Sequence, residues 1–385
     1  MDTSPDILVV GLGAMGAATL LFASGQGLRV LGIDRYEPPH HHGSTHGESR
    51  ITRVGVGEGA EYVPLVQRSH RLWRDLETAT CTSLYHACGG LILGCGDAAP
   101  MHGQHHFLDS TVAVAEAFGI RHEVLDADTI AARWPQFQLT GAERGYFEPE
   151  AGYLRPEACV AAQLAQARLR GAEIHNGECL LEWSKDSRGI AVRTDRTTYR
   201  PGLVVFCLGA WLPGVVPAPL LRVTRQVLHW FDTERPEDYA ADRFPIFIWN
   251  WGLHEGQVYY GFPDLGGGIK LATEGHVETD PNHVDRSVGQ GEIEAFYRLH
   301  VRGRMRGVLP NIRRTATCLY TEAPGARFWI DRLADDGPIV VSACSGHGFK
   351  HSAAIGEAVA QWAISGVRPS VLLPFAAPPG DTASR

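Results

Sequence analysis

The first 34 residues constrain this chain more than any other stretch. Ile7–Val10 is apolar, and Gly11-Leu-Gly13-Ala14-Met15-Gly16 follows at once. An Ala-rich stretch over 17–24 predicts a helix, and a second apolar run over 28–33 ends at Asp34. Strand, glycine turn, helix and strand make a βαβ unit, whose crossover belongs to a parallel sheet. The glycines permit a tight turn and let backbone N–H groups at the helix N-terminus approach a pyrophosphate. Asp34 closes the second strand, where a carboxylate can accept a hydrogen bond from a ribose hydroxyl, with Arg35 beside it. The segment predicts a dinucleotide site contacted by Gly11, Gly13, Ala14, Met15, Gly16, Asp34 and Arg35.

The remaining elements are expected in a broken order. Helices are predicted over 61–77, 161–170 and 351–365, and strands over 90–93, 203–208 and 339–342. The stretch 223–270 is strand-rich, with aromatic and β-branched residues between Pro and Gly turns. A loop is expected at 346–348, and the tail 376–385 is expected to fray. Dinucleotide-binding elements thus lie at both ends and in the middle of the chain. This order suits a Rossmann-like FAD-binding domain of discontinuous sequence better than a two-halved NAD dehydrogenase. The expected division is 1–85, 145–222 and 318–385 for that domain. An inserted substrate domain, 86–144 and 223–317, is expected to be a mostly antiparallel sheet with helices.

Charge and composition narrow the partners. The chain has 385 residues and a formal net charge of −8, which argues against nucleic acid or an anionic membrane as a partner. No apolar run approaches the ~20 residues that span a bilayer. The polar start, 1–6, leaves no room for a signal peptide, so a cytoplasmic protein is expected. Eight cysteines form no CxxC pair, and reduced, buried thiols are expected. Three adjacent histidines, His40 to His42, point in different directions, so no metal site is expected there. Positive charge is carried almost wholly by Arg, and the only lysines are Lys185, Lys270 and Lys350. Such a chain can reserve Lys for places where a compact point charge is needed; codon bias is the plainer explanation.

Four clusters carry possible chemistry. In GSTHGESRITR (43–53), Arg50 and Arg53 are three apart and would share one face of a helical turn, where they could bind a carboxylate or an anionic ring. Tyr259-Tyr260 leads through a glycine-rich stretch to Lys270. Cys318 and Tyr320 flank Leu319. Gly346-His347-Gly348-Phe349-Lys350 precedes a long helix, whose N-terminus suits an anion or an electron-rich carbonyl. Each cluster has a plainer alternative: a solvated basic turn, a bulge with an exposed Lys, a core thiol, an ordinary Gly-rich connection.

Taken together, four segments resemble the sarcosine oxidase and N-methyltryptophan oxidase family: GLGAMG, GSTHGESRITR followed by GEGAEYVPL, YYGFP…IK, and CLYT…SGHGFK. The resemblance covers nearly the whole chain and is weakest over 78–143. It implies the FAD-dependent D-amino-acid-oxidase fold. By resemblance, Cys318 would bond covalently to the flavin and Lys270 would activate O2. Arg53 and Lys350 would grip a substrate carboxylate. His46 and Arg50 would line the flavin and its substrate face, and Tyr260 and Tyr320 would flank the active site. Ser44, Thr45, Gly346, Gly348, Phe349 and Lys350 would complete the flavin contacts.

One departure stands out. The family histidine beyond the oxygen-activating lysine has no counterpart at its offset. Glu274 takes its place, or His276 is displaced into it, and sarcosine itself is in doubt as substrate. The expected activity is oxidation of a secondary, N-methyl or cyclic, amino acid to an imine, with O2 reduced to hydrogen peroxide. A monomer with no nucleic-acid or membrane partner is expected. A dehydrogenase passing electrons to a quinone or carrier protein is the alternative among enzymes, and a non-catalytic dinucleotide sensor is the alternative outside them.

Overall fold

A computed structural model describes residues 4–95, 98–216, 221–254, 256–275 and 277–376. His276 and most of the tail, 377–385, lie outside the described residues. Strand β1 (Ile7–Val10), helix α1 (Ala14–Ala23) and strand β2 (Val30–Asp34) form the βαβ unit. Both strands are fully buried, as strands of a sheet covered on two faces must be.

Among the described residues, β1 and β2 belong to a six-stranded sheet. Its order is Trp329–Arg332, Ile339–Ser342, Leu203–Phe206, β1, β2, Glu173–Asn176. All neighbours are parallel except the Trp329–Arg332 edge. Helix α1 packs against the C-terminal helix Ser352–Ser365 through small side chains. A Cβ added to Gly356 would lie 2.3 Å from that of Ala18. The Ala-rich composition of α1 thus serves close helix contact.

Among the described residues, a nine-stranded, mostly antiparallel sheet forms the second layer. Its longest pairing joins Arg222–Thr233 to Val308–Glu322, with Gln226 opposite Cys318 and Thr224 opposite Tyr320. Ile269–Ala272 lies on the other side of Arg222–Thr233, placing Lys270 opposite Trp230. An aromatic core that includes Phe231, Phe244, Phe247, Trp249 and Tyr259 packs against this sheet. The boundary expected at 317/318 falls inside the continuous strand Val308–Glu322. The one expected at 144/145 falls inside Arg144–Glu148, which pairs in this same sheet.

The expected helices occur at Val63–Thr80, Pro156–Leu169 and Ser352–Ser365. Phe107–Ala117 and Ala127–Arg133 are helices the sequence did not announce. No helix among the described residues is long and apolar enough to cross a membrane.

Candidate active site

The glycine turn forms the floor of a cavity of about 910 Å³, near the top of the ~300–1,000 Å³ range of small-molecule sites. Gly11 has φ +87°, and a Cβ there would sit 2.5 Å from the carbonyl oxygen of Cys207. A Cβ on Gly16 would sit 1.7 Å from the Gly11 oxygen. Gly11, Gly13, Ala14 and Met15 line the cavity, whereas Gly16 does not; it lets α1 seat on the turn. Asp34 lines the cavity too, but its carboxylate already serves the backbone. Oδ2 accepts from Leu12 N at 2.7 Å, and Oδ1 accepts from Tyr36 N at 2.8 Å. Each is a charge-assisted bond of about 1.5–3 kcal/mol, so Asp34 fixes the turn. Arg35 donates to Asn282 Oδ1 at 2.7 Å, and Trp211 Nε1 donates to the same atom at 3.0 Å. Ser44, Thr45, Gly346, Gly348 and Phe349 complete the wall, and Thr45 Oγ1 accepts from Ala14 N at 3.3 Å. A backbone cradle at a helix N-terminus, with space at Gly11 for no side chain, fits a flavin dinucleotide.

A second, smaller chamber of about 70 Å³ shares Arg50, Tyr320, Gly346 and Phe349 with the first. Here one expectation fails. Arg50 and Arg53 do not share the face of a helical turn, because Arg50–Thr52 is an extended strand paired with Gly152–Leu154. Both still line the chamber, but they bind different groups. Arg50 turns back to donate to Ser44 O at 2.6 Å and Ser49 O at 2.9 Å. Arg53 turns into a separate, carboxylate-bearing network.

Lys270 lies under the chamber, with its Nζ 4.3 Å from the centroid of Phe262. It donates to Gly47 O and Ser49 O, each at 2.7 Å, and to Ser49 Oγ at 3.2 Å. Burial, then Arg50, pushes its pKa well below that of a free lysine. The three acceptors match the three protons of an ammonium and oppose that loss. His46 is buried with no hydrogen-bond partner at Nε2. Burial, then Arg50 and Lys270, brings its pKa to about 3, so it is a neutral imidazole. Cys318 is 1% exposed and lines neither cavity. Burial raises its pKa, while Arg50 and Lys270 favour the thiolate. The Tyr260 and Tyr320 hydroxyls meet at 3.2 Å on the chamber wall.

Arg53 and Lys350 both line the chamber, but a carboxylate of the chain stands between them. Arg53 Nη2 donates to Glu58 Oε1 and Oε2 at 2.9 Å each, and Nη1 donates to Gly55 O. Lys350 Nζ donates to Glu58 Oε1 at 3.1 Å and to His347 O at 2.9 Å. Burial alone would raise the pKa of Glu58; Arg53, then Lys350, hold it well below the ordinary carboxylate range. Arg53 Nε stays buried without a partner, and one N–H of Lys350 is left beyond its two bonds. Lys350, expected also at the flavin, lines only the smaller chamber. Glu274 is there as well, ion-paired through Oε1 to His102 Nε2. His102 Nδ1 faces Glu58 Oε1 at 3.5 Å. Sequence reasoning missed Glu58 and His102. Glu58 had a signal, an acid between two glycines five residues after Arg53; His102 had none.

The comparisons with known proteins agree with this architecture. The family model of FAD dependent oxidoreductases matches residues 6–362. The chain is 35% identical to a monomeric sarcosine oxidase of Streptomyces avermitilis over 385 residues, covering 95% of each protein. It is 31% identical to an N-methyl-L-tryptophan oxidase of Salmonella heidelberg, covering 96% of this chain and 97% of that one. Among solved structures, NikD, an unusual amino acid oxidase essential for nikkomycin biosynthesis, superposes with a TM-score of 0.84, 23% identity and 98% coverage of both chains. The chain therefore belongs to the FAD dependent oxidoreductase family, in the group that holds the monomeric sarcosine oxidases and N-methyl-L-tryptophan oxidases.

Proposed function

We propose that the protein is an oxidase of a secondary amino acid, N-methyl or cyclic, acting as a monomer on a small substrate and O2. The six-stranded sheet then forms the cofactor unit and the nine-stranded sheet the substrate unit. The observation that carries the reading is that both buried lysines, Lys270 and Lys350, line one small chamber abutting the dinucleotide cavity. The third, Lys185, is paired with Asp336 on the surface.

In this reading the remaining N–H of Lys350 and Arg53 Nε receive the substrate carboxylate. Tyr260 and Tyr320 form the wall beside the reacting carbon, and Arg50 and His46 flank the ring. Bound flavin supplies the two-electron redox chemistry. Lys270 presents a fixed charge to O2 and stabilises negative charge there as it develops, the condition for electrostatic catalysis. The products are an imine, hydrolysed to an aldehyde or oxo acid and an amine, and hydrogen peroxide.

Cys318 is the residue proposed to carry the flavin covalently, supported by its place beside Arg50 and Lys270. Yellow colour should then stay with acid-precipitated protein, and Cys318→Ala should release it; colour in the supernatant of the parent protein sinks the linkage. A panel of N-methyl and cyclic amino acids, assayed in air for peroxide, tests the reaction. Flavin reduction without peroxide would favour a dehydrogenase. No reduction by any secondary amine would favour a sensor.

A further inference from the structure

The carboxylate clamp contains more acid than a clamp needs. Arg53 and Lys350 supply two positive charges, Glu58 sits between them, and Glu274 lines the same chamber. Within the clamp itself, two cations facing two carboxylates leave no net charge to attract a substrate anion; the chamber's other two cations, Arg50 and Lys270, are turned to the backbone carbonyls of Ser44, Gly47 and Ser49. The group that alters this balance is His102. It belongs to the loop 98–106, pinned by Ala99 N to Gly252 O at 3.0 Å and by Asn250 Nδ2 to Ala99 O at 2.6 Å. Its backbone is left-handed, with φ +48°, in a two-residue turn closed by the pairing of Met101 with Gln104. That turn sends the ring between the two carboxylates, against Glu274 on one side and Glu58 on the other.

We propose that His102 is a substrate-positioning residue, the third cation of the carboxylate clamp, and that Glu274 retains the proton it must carry. The proposal rests on the clamp reading given above. A protonated His102 restores one positive charge to the group, which one substrate carboxylate then balances. The two acids that face it fit that role. Glu274 and Glu58 favour the imidazolium. His347, whose ring lies 5.1 Å away, is kept neutral by burial and by Lys350. Arg53 and Lys350 are screened from His102 by Glu58. Burial would lower the pKa of His102, but Glu274 and then Glu58 outweigh it and raise the value to about 9. Glu274, the departure from the family's histidine, and His102, from a loop where the resemblance is weakest, thus compensate each other.

The experiment is calorimetric titration of the flavin-loaded protein with methoxyacetate, an ether isostere of an N-methyl amino acid with no amine to oxidise. His102→Asn should weaken binding at neutral pH by about tenfold or more, the worth of one charged contact. Affinity in that variant should recover as the pH falls, because Glu274 then takes the missing proton itself. Adding Glu274→Gln to it should restore neutral-pH affinity to within a few-fold of the parent and abolish the acid recovery. Glu274→Gln alone should bind at least as tightly as the parent at neutral pH, and it tests the idea even if His102→Asn folds poorly. If the double variant is as weak as His102→Asn, or if Glu274→Gln alone weakens binding, His102 is only a structural latch and the proposal fails. Unchanged binding in His102→Asn also overturns it. No binding by the parent would overturn the clamp reading along with it.

Discussion

The two buried lysines line the same chamber, yet the chain treats them in opposite ways. Lys270 is surrounded by neutral acceptors, Gly47 O, Ser49 O and Ser49 Oγ. Lys350 is paired with a carboxylate, Glu58, that also neutralises Arg53. Neutral acceptors hold a proton without cancelling its field, so a charge that develops nearby meets Lys270 at nearly full strength. A carboxylate partner cancels most of the field but fixes donor geometry, which suits recognition of an anion already formed. Under the proposed function, the difference separates catalysis from binding within one small volume.

The strongest test of the carboxylate-held side is Arg53→Met. It removes the partner that donates to both oxygens of the buried Glu58, and breaking a buried pair from one side costs about 3–5 kcal/mol. A denaturant melt should show that loss, and Arg53→Met combined with Glu58→Gln should recover much of it. If the single variant is as stable as the parent, Glu58 is not the counter-charge described.

Lys270→Met comes next. Loss of one electrostatic donor costs on the order of a hundred- to a thousandfold, and the loss should fall on flavin reoxidation by O2. Reduction by substrate should fall by considerably less, since it develops no charge at Lys270. Stopped-flow measurement of both half-reactions decides; equal losses erase the distinction between the lysines. The pH dependence has a definite sign. A lysine is charged below its pKa, and that of Lys270 is depressed, so reoxidation should slow as pH rises, beginning below the ~10.4 of a free lysine.

Lys350→Met should raise the dissociation constant of a carboxylate ligand by about tenfold or more while leaving reoxidation close to the parent rate. A reoxidation defect there would move the oxygen site toward Lys350. Lys185→Met should change stability by less than about 0.5 kcal/mol, as befits an exposed pair; a larger loss would mean that the surface lysine also has a structural task.

The cofactor end was legible in the sequence because it is local. Gly11 to Asp34 is one continuous motif, and Gly11 and Gly16 are dictated by backbone collisions within that motif or with the turn after an adjacent strand. The chamber is not local. Arg53 was assigned to a helical face with Arg50 from spacing alone, and strand pairing with Gly152–Leu154 overrode it. Val308–Glu322 was not visible as one strand because Arg313 and Arg314 interrupt its apolar pattern at exposed positions. The meeting of His102 with Glu274 joins residues far apart in sequence through a loop without periodicity, so no pattern could have announced it.

The pairing of Arg222–Thr233 with Val308–Glu322 has a further implication, for tolerance to insertion and deletion. Cys318 and Tyr320 are two apart on one strand and so face the same way, while Lys270 is registered to the same neighbouring strand from its other side. A slip by a single residue would turn both side chains to the opposite face of the sheet together. Length changes along this ladder should therefore be all-or-none for function, whereas the loop carrying His102 lies outside the ladder, so a change in its length leaves that register intact.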